Sequence, residues 1–558
     1  MKQRLQALYY AVSAFIPCWL GLVSAQMADP DLWGRLSVAA LWFSTGRFPY
    51  RDVFSFTAFH HRWIDHEWLA GIVFYAALWC GGEIGLHCLK YGIIIAIYYA
   101  LFSLAQKIAP SHKSLPLIIF ASLFLLSPVY GDAFYPTIRA QLFSFLFFAY
   151  FIWALEQVRQ GEALGEALSN KSKGLLLSLI PIGVLWANAH GGFILGLVLL
   201  LLYGLGAGLE QRSSKAALPF LLTAITMAFL IGVLNPYGFS YWPFILQALS
   251  MPRPFISEWR PLPLFTVDYW ETKLLIISIG GTLLLAIGRQ WKQASTERQN
   301  PSMLTLGLVA LFFIGLALKG VRFKAFLALT ALFYLPSLCA FWKATGNRRE
   351  RNQPQVQPRS LLPALPGIAA LAAALAMLVF YQPYYYARTI VQDGHLAESR
   401  GLIPFPIDMV NYLKASPYRG NLVNPFTWGE FLSWELYPRF KVAWDGRYEE
   451  VYTDTEVQTL TELYALPHAY QPQRLLSLAN QSNGDLLLIE KISPNQVLMA
   501  QHPDWQLLHT DGFYFLYGRK TSLQHFPADH PSSRSKAEPL YTIGDFFHPA
   551  NLNRFQDF

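Results

Sequence analysis

Carboxylates are scarce in this chain of 558 residues, which is 54% hydrophobic and only 14% charged, so their clusters can be read for chemistry. The densest set lies between Met27 and Gly82, directly after the first apolar run. It comprises Asp29 and Asp31 in MADPDLWGR, then Asp65, His66 and Glu67 in WIDHEWL. An aspartate with its reference pKa of about 3.9 is ionised at neutral pH and can accept a proton from a hydroxyl, so Asp29 and Asp31 are candidate general bases. Asp29-Pro30-Asp31 also matches a bare DxD pattern, which makes a divalent cation at Asp29/Asp31 a candidate cofactor. The duller alternative is capping, because aspartate favours helix N-caps and first turns and a helical pattern starts at Leu32. His66 and Glu67 open a second apolar stretch and are candidate substrate contacts, although Glu67 could simply favour the positive end of that helix.

The elements that must position these residues are membrane helices. Soluble domains carry roughly a quarter charged residues, well above this chain. Apolar runs of about 17–25 residues recur along it, as in a polytopic helical membrane protein. The net charge of +8 does not imply nucleic acid, since the basic residues fall in short loops between apolar runs. The four cysteines, Cys18, Cys80, Cys88 and Cys339, sit in or beside apolar segments without CxxC spacing. Neither a disulfide framework nor a zinc site is expected from them.

About eleven spans are expected: Tyr9–Ala25, Ile84–Ala105, Leu115–Val129, Leu142–Ala154, Gly174–Ala187, Phe193–Leu209, Ala217–Leu234, Leu274–Ile287, Leu304–Leu318, Phe323–Phe341 and Leu361–Phe380. Two further stretches in the first loop, Leu32–Thr45 and His66–Trp79, read as helices. The second is short for a span and is expected at the membrane interface. That choice places Lys107 with Lys113, Arg159 with Lys171, Arg212 with Lys215, Arg289 with Arg298, and Lys343 with Arg359 on the cytoplasmic side. The N-terminus is then cytoplasmic and the C-terminus extracytoplasmic, in a plasma membrane. Val23-Ser24-Ala25 resembles a signal-peptidase site, and with or without cleavage the first loop lies outside the cytoplasm.

Residues 1–383 therefore read as a multi-span membrane domain whose outer loop, 27–83, carries the acidic residues. From Tyr384 the apolar runs stop. Strand patterns at Asn421–Asn424, Lys441–Trp444, Asp485–Glu490 and Phe513–Tyr517 alternate with helical ones at Trp428–Leu436 and Glu456–Ala465. A small extracytoplasmic α/β domain over 384–520 is expected, then a loosely ordered tail over 521–558.

Sorted by side, the polar residues near span ends collect on the outer face. They are Arg139 and Gln141 in YPTIRAQLFSF, Asn188 and His190 in WANAHGGF, Asn235 in NPYG, Glu258 with Arg260 in ISEWRP, and Lys319 with Arg322 in KGVRF. Arg139, and after it Arg322, suits an anionic headgroup, a phosphate being the natural partner of a guanidinium fork. A lipid anchor is the alternative for each. His190 precedes Gly191-Gly192, which would let a ligand approach the backbone, or which simply make a tight turn. Glu258 beside Trp259 could contact a sugar. No Walker loop, HExxH, GxSxG or dinucleotide fingerprint stands in a fitting context.

The order of these features resembles the GT-C glycosyltransferases: an acidic motif after the first span, an outer loop with two helices, many spans, and a C-terminal extracytoplasmic domain. That superfamily includes protein O-mannosyltransferases, oligosaccharyltransferase and the aminoarabinose transferase of lipid A. More narrowly, DPDLWGRLSVAALWFSTGRFPYRDVFSFT, WIDHEWL, RAQLFSF, WANAHGGFILG and VAWDGRYEEVY resemble a bacterial family of GT-C-like membrane proteins. The resemblance implies a polyprenyl-phosphate-linked sugar as donor, a glycan, lipid or protein as acceptor, and inverting transfer on the outer face. It makes Asp29 or Asp31 the base. The interfacial helix opens with Asp65-His66-Glu67 here, in place of the HPP-type opening of many mannosyltransferase-like members. The residue reading also admits a non-catalytic envelope protein that binds or flips lipid-linked sugars, or a scaffold for polysaccharide assembly.

Overall fold

The structure, a computed structural model, describes residues 30–108, 138–161, 168–251, 257–293, 304–346, 405–464, 483–491 and 499–524. Asp29, the expected spans Tyr9–Ala25, Leu115–Val129 and Leu361–Phe380, and the tail beyond 524 lie outside the described residues. The chain divides into two compact units. Described parts of His87–Tyr384 form one, and described parts of Gln26–Leu86 and Tyr385–Phe558 form the other. The first loop thus folds with the C-terminal segment, from which it is separated by more than three hundred residues.

The chain begins, among the described residues, with α1 (Pro30–Thr45) and the long α2 (Trp68–Ile108). Pro30 suits the first helical position because its missing N–H would have had no partner there. Asp31 lies in the first turn, where a negative charge complements the helix dipole. Within α2 the backbone breaks at Gly82, whose φ of 57° and ψ of −145° are open to glycine and costly for other residues. The break separates the short apolar stretch Trp68–Gly82, close to the expected interfacial helix, from the span Ile84–Ala105.

The helical unit continues with α3 (Gln141–Gly161), α4 (Asn170–Ala189), α5 (Ile194–Gln211), α6 (Ser214–Leu234), α7 (Tyr241–Ser250), α8 (Trp270–Gln293), α9 (Leu304–Lys319) and α10 (Lys324–Gly346). Six stretches among the described residues are long and apolar enough to cross a membrane: Ile84–Ala105, Gln141–Gln160, Asn170–Ala189, Gly191–Gln211, Ser214–Leu234 and Trp270–Gly288. Each falls on an expected span. Leu304–Lys319 is apolar but shorter. Packing between helices combines aliphatic side chains with aromatic contacts, such as Phe148 edge-on to Phe313 and Phe326 at 5.1 Å each. Polar side chains add cross-links. Tyr203 Oη donates to Glu156 Oε1 at 2.7 Å, and Thr305 Oγ1 donates to Glu210 Oε1 at 2.8 Å.

The second unit is built on a five-stranded mixed sheet. Its strands are β1 (Gly420–Val423), β2 (Phe440–Val442), β3 (Leu486–Glu490), β4 (Trp505–Thr510) and β5 (Tyr514–Arg519), in the order β2-β1-β3-β5-β4. β1 is parallel to β2 and β3, whereas β5 is antiparallel to β3 and β4. Four strands meet the sequence expectation within a few residues. β4 was not expected, because its WQLLHT lacks clean alternation and is set between turns. Helices α11 (Ile407–Ala415), α12 (Gly429–Leu436) and α13 (Asp454–Tyr464) complete the unit.

The first loop joins the sheet at its β2 edge. Phe56 N donates to Val442 O and Val442 N donates to Phe54 O, each at 3.0 Å, with Ser55 bridged in parallel to Val442. This covers an edge that would otherwise expose unpaired backbone groups. Helix α1 packs on α12, where Trp33 meets Phe431 edge-on at 5.4 Å. Gly34 permits the contact, since a methyl group there would lie 2.4 Å from the Glu430 carboxyl carbon.

Candidate active site: an acidic loop, a charge network and an arginine pair

In the sheet-based unit, α1 and the WIDHEWL turn bring Arg35, Asp65, His66 and Glu67 together, and the segment after β2 supplies Glu450. Arg35 Nη1 donates to Asp65 Oδ1 at 2.8 Å and lies 3.3 Å from Glu450 Oε1, while its Nε is 2.9 Å from Glu67 Oε2. His66 Nδ1 meets Glu450 Oε1 at 2.6 Å. Trp63 Nε1 donates to the other oxygen, Oε2, at 3.0 Å. Arg35, Asp65 and Glu450 are buried. Ionised groups survive such burial only when paired and hydrogen-bonded, as these are.

A second network adjoins the first through Trp63, whose ring lies 4.6 Å from the Arg447 guanidinium. Arg447 donates to Asp445 through Nη2 at 2.7 Å and to Asp52 through Nη1 at 2.5 Å. Asp52 in turn accepts from Phe54 N at 3.1 Å and Ser55 N at 3.0 Å, which fixes the loop strand against the sheet. Sequence reasoning missed Arg35, Asp52, Asp445, Arg447 and Glu450. The available signal was a run of charges in VAWDGRYEEVY beside an apolar strand, which a buried ion network requires and a solvated turn does not.

Burial would lower the pKa of His66, but the Glu450 charge and hydrogen bond outweigh it and push it up to about 9. Burial would raise Glu450, and Arg35 with His66 instead hold it down, at about 2. Asp65 moves up, since burial exceeds the pull of Arg35. These directions give a pH signature. A histidine whose folded pKa exceeds its unfolded value of 6.5 stabilises fully below that value and loses the contribution as pH rises through about 9. His66→Gln is therefore expected to lower the unfolding temperature most near pH 6 and hardly at all near pH 10. An equal loss at both values in thermal scans would mean that His66 is not held charged.

Asp31 faces the C-terminal segment as well. A methyl group built on Gly446 would lie 3.4 Å from Asp31 Oδ1 and 2.9 Å from Glu430 Oε1, so the two carboxylates border one small space. Glu430 is buried and accepts from Gly34 N through Oε2 at 3.0 Å. Burial lifts its pKa well above the usual carboxylate range, Arg35 opposing and the Asp31 and Asp445 charges adding to the rise. Among the described residues no group of three or more His, Cys, Asp or Glu side chains is arranged to hold a metal ion.

The helical unit carries a separate cluster of two arginines and one carboxylate. Arg139 stands two residues before α3, and Gln141, the first residue of that helix, is half-buried. Glu258 lies on the 3-10 turn Ser257–Trp259 and Arg322 on the turn Val321–Phe323. Backbone bonds hold the two turns together: Val321 N donates to Arg260 O at 3.0 Å and Leu262 N to Leu318 O at 3.1 Å. One carboxylate, Glu258, is shared by Arg139 at 3.9 Å and Arg322 at 3.8 Å. Arg322 also stacks on Trp259 at 4.0 Å, which fixes its plane. Lys319 is exposed at the end of α9.

Other expected site residues of this unit make structural bonds. Asn188 Nδ2 donates to Val184 O at 2.8 Å, and its Oδ1 accepts from Asn235 Nδ2 at 3.1 Å. His190 Nδ1 accepts from Gly192 N at 2.9 Å and lies 2.7 Å from Ser144 Oγ, which takes a further bond from Trp186 Nε1. The Gly192 bond closes the α4–α5 turn, and the bonds to Ser144 and Asn235 tie α4 to α3 and to the C-terminal end of α6.

No protein-family model and no curated sequence matches the chain. Solved structures do. The archaeal oligosaccharyltransferase AglB from Archaeoglobus fulgidus, in complex with an inhibitory peptide and a dolichol-phosphate, aligns with a TM-score of 0.56 and 12% identity over 98% of this chain and 78% of that one. The same enzyme tethered to an acceptor peptide containing the NVT sequon gives 0.54 and 13% over 98% and 78%. ArnT from Cupriavidus metallidurans in the apo state gives 0.51 and 10% over 94% and 99%. Both proteins are GT-C membrane glycosyltransferases, and this chain shares their fold.

Proposed function

We propose that the protein is a membrane glycosyltransferase that moves a sugar from a polyprenyl-phosphate donor to a glycan, lipid or protein acceptor on the outer face of the inner membrane. The observation that carries this reading is the pair Arg139 and Arg322, drawn from two elements to one loosely held carboxylate in a chain of GT-C fold. Two guanidiniums that converge beside a partly exposed carboxylate without close contact suit a lipid phosphate better than they suit a buried structural pair.

In the reaction, the acceptor hydroxyl oxygen bonds to the anomeric carbon while the bond from that carbon to the phosphate oxygen breaks. The electron pair leaves on the phosphate, where Arg139 and Arg322 offset the growing charge. The hydroxyl proton goes to a base, for which Asp31 and Asp29 of the first loop are the candidates that the sequence supplies. A divalent cation at Asp29/Asp31 belongs to the same proposal, and turnover with and without a chelator tests it.

The decisive assay incubates purified protein with labelled polyprenyl-phosphate sugars and follows loss of the donor. Binding without turnover would favour the non-catalytic lipid-sugar binder instead. Arg139→Lys replaces a fork with a point charge and is expected to weaken donor binding about tenfold, the value of roughly one charge-assisted hydrogen bond. Unchanged affinity would make Arg139 a lipid anchor.

A further inference from the structure

Glu258 needs its own account. A carboxylate placed to bind two arginines for stability would sit at hydrogen-bond distance, about 2.7–2.9 Å from a charged donor. Its contacts at 3.9 and 3.8 Å are longer, and its side chain is one-third exposed. It is therefore a loosely held counter-ion standing where an anion would bind. The three side chains together carry one net positive charge.

Charge matters here because the two lipids of the proposed reaction differ in it. A lipid-phosphate sugar is a phosphodiester with one negative charge. The lipid phosphate left after transfer is a monoester, close to doubly charged above its second pKa of about 6. We infer that Glu258 lowers the charge of the site, so that the doubly charged monoester is held less tightly than two arginines alone would hold it and leaves more readily after transfer. The inference rests on the lipid-phosphate reading above and assigns Glu258 a selectivity role distinct from sugar contact.

Removing the carboxylate removes a repulsion proportional to the charge of the bound anion, so the monoester gains more than the diester. The test measures binding of farnesyl phosphate and of its methyl phosphodiester by calorimetry at pH 8. The full-length protein is used in detergent as wild type, Glu258→Gln, Glu258→Ala, Arg139→Lys and Arg322→Lys. Both Glu258 variants are expected to tighten the monoester about tenfold more than the diester. Equal changes for both probes, no change, or weaker binding would overturn the inference, whether seen in one folded variant or in both. The arginine variants separate this failure from that of the parent reading. If they weaken binding while the Glu258 variants show no preference, only the selectivity role falls. If they leave both probes unaffected, the anion site itself falls.

Discussion

Arg35→Met is expected to destabilise the sheet-based unit by about 3–5 kcal/mol, the usual consequence of removing one partner from a buried ion network. The reason is arithmetic of charge. Arg35 is the guanidinium shared by Asp65, Glu67 and Glu450, and methionine would fill its volume while leaving those carboxylates with His66 as the other cation of the network described above. Asp65, already shifted upward by burial, would take up a proton, and Glu450 would lose its main source of depression. Arg35→Lys keeps the charge but cannot reach three acceptors with a fork, so an intermediate loss is expected. Pairing Arg35→Met with Glu450→Gln should recover part of the loss, because one orphaned charge is removed with its partner. Thermal unfolding in detergent, read by tryptophan fluorescence, measures all three. A wild-type midpoint for Arg35→Met would show that the network does not hold the loop to the sheet.

The elements of the fold were largely visible in the sequence because each is a local pattern. Apolar runs marked the spans Gln141–Gln160 to Ser214–Leu234, and short strand-like stretches set between helical patterns marked β1, β2, β3 and β5. The division of the chain was not visible in this way. Residues 27–83 read as a loop of the membrane domain, yet Arg35 finds Glu450, Gly34 finds Glu430 and Asp52 finds Arg447, each about four hundred residues away. Periodicity carries no information about such pairs. For the same reason His66 and Glu67, expected as substrate contacts, have a further role that only the partners reveal: both meet a buried ion network. Arg139, Glu258 and Arg322 were each picked out singly, and it took the packed turns 257–259 and 321–323 to show that they converge.

The acidic pair gives the largest expected effect on activity. In the structure Asp31 lies in the first turn of α1 and borders Glu430, which is itself pushed toward its neutral form. A purely structural role for Asp31 would be charge–dipole stabilisation, worth about 0.3–1 kcal/mol and lost to Asn and Ala alike. Asp31→Asn also removes a charge that pushes Glu430 toward its neutral form, so its net effect on the unfolding midpoint should be small. If Asp31 is the base, the same variant cannot take the acceptor proton, and turnover should fall by roughly 10²–10⁴-fold with the fold intact. At Asp29 the structural alternative is an N-cap, for which Asn is nearly silent and Ala costs about 1 kcal/mol. Measuring turnover and thermal stability for Asn and Ala at both positions therefore separates proton transfer from helix support. Wild-type turnover in both Asn variants would leave neither aspartate as the base and would end the catalytic reading of the loop.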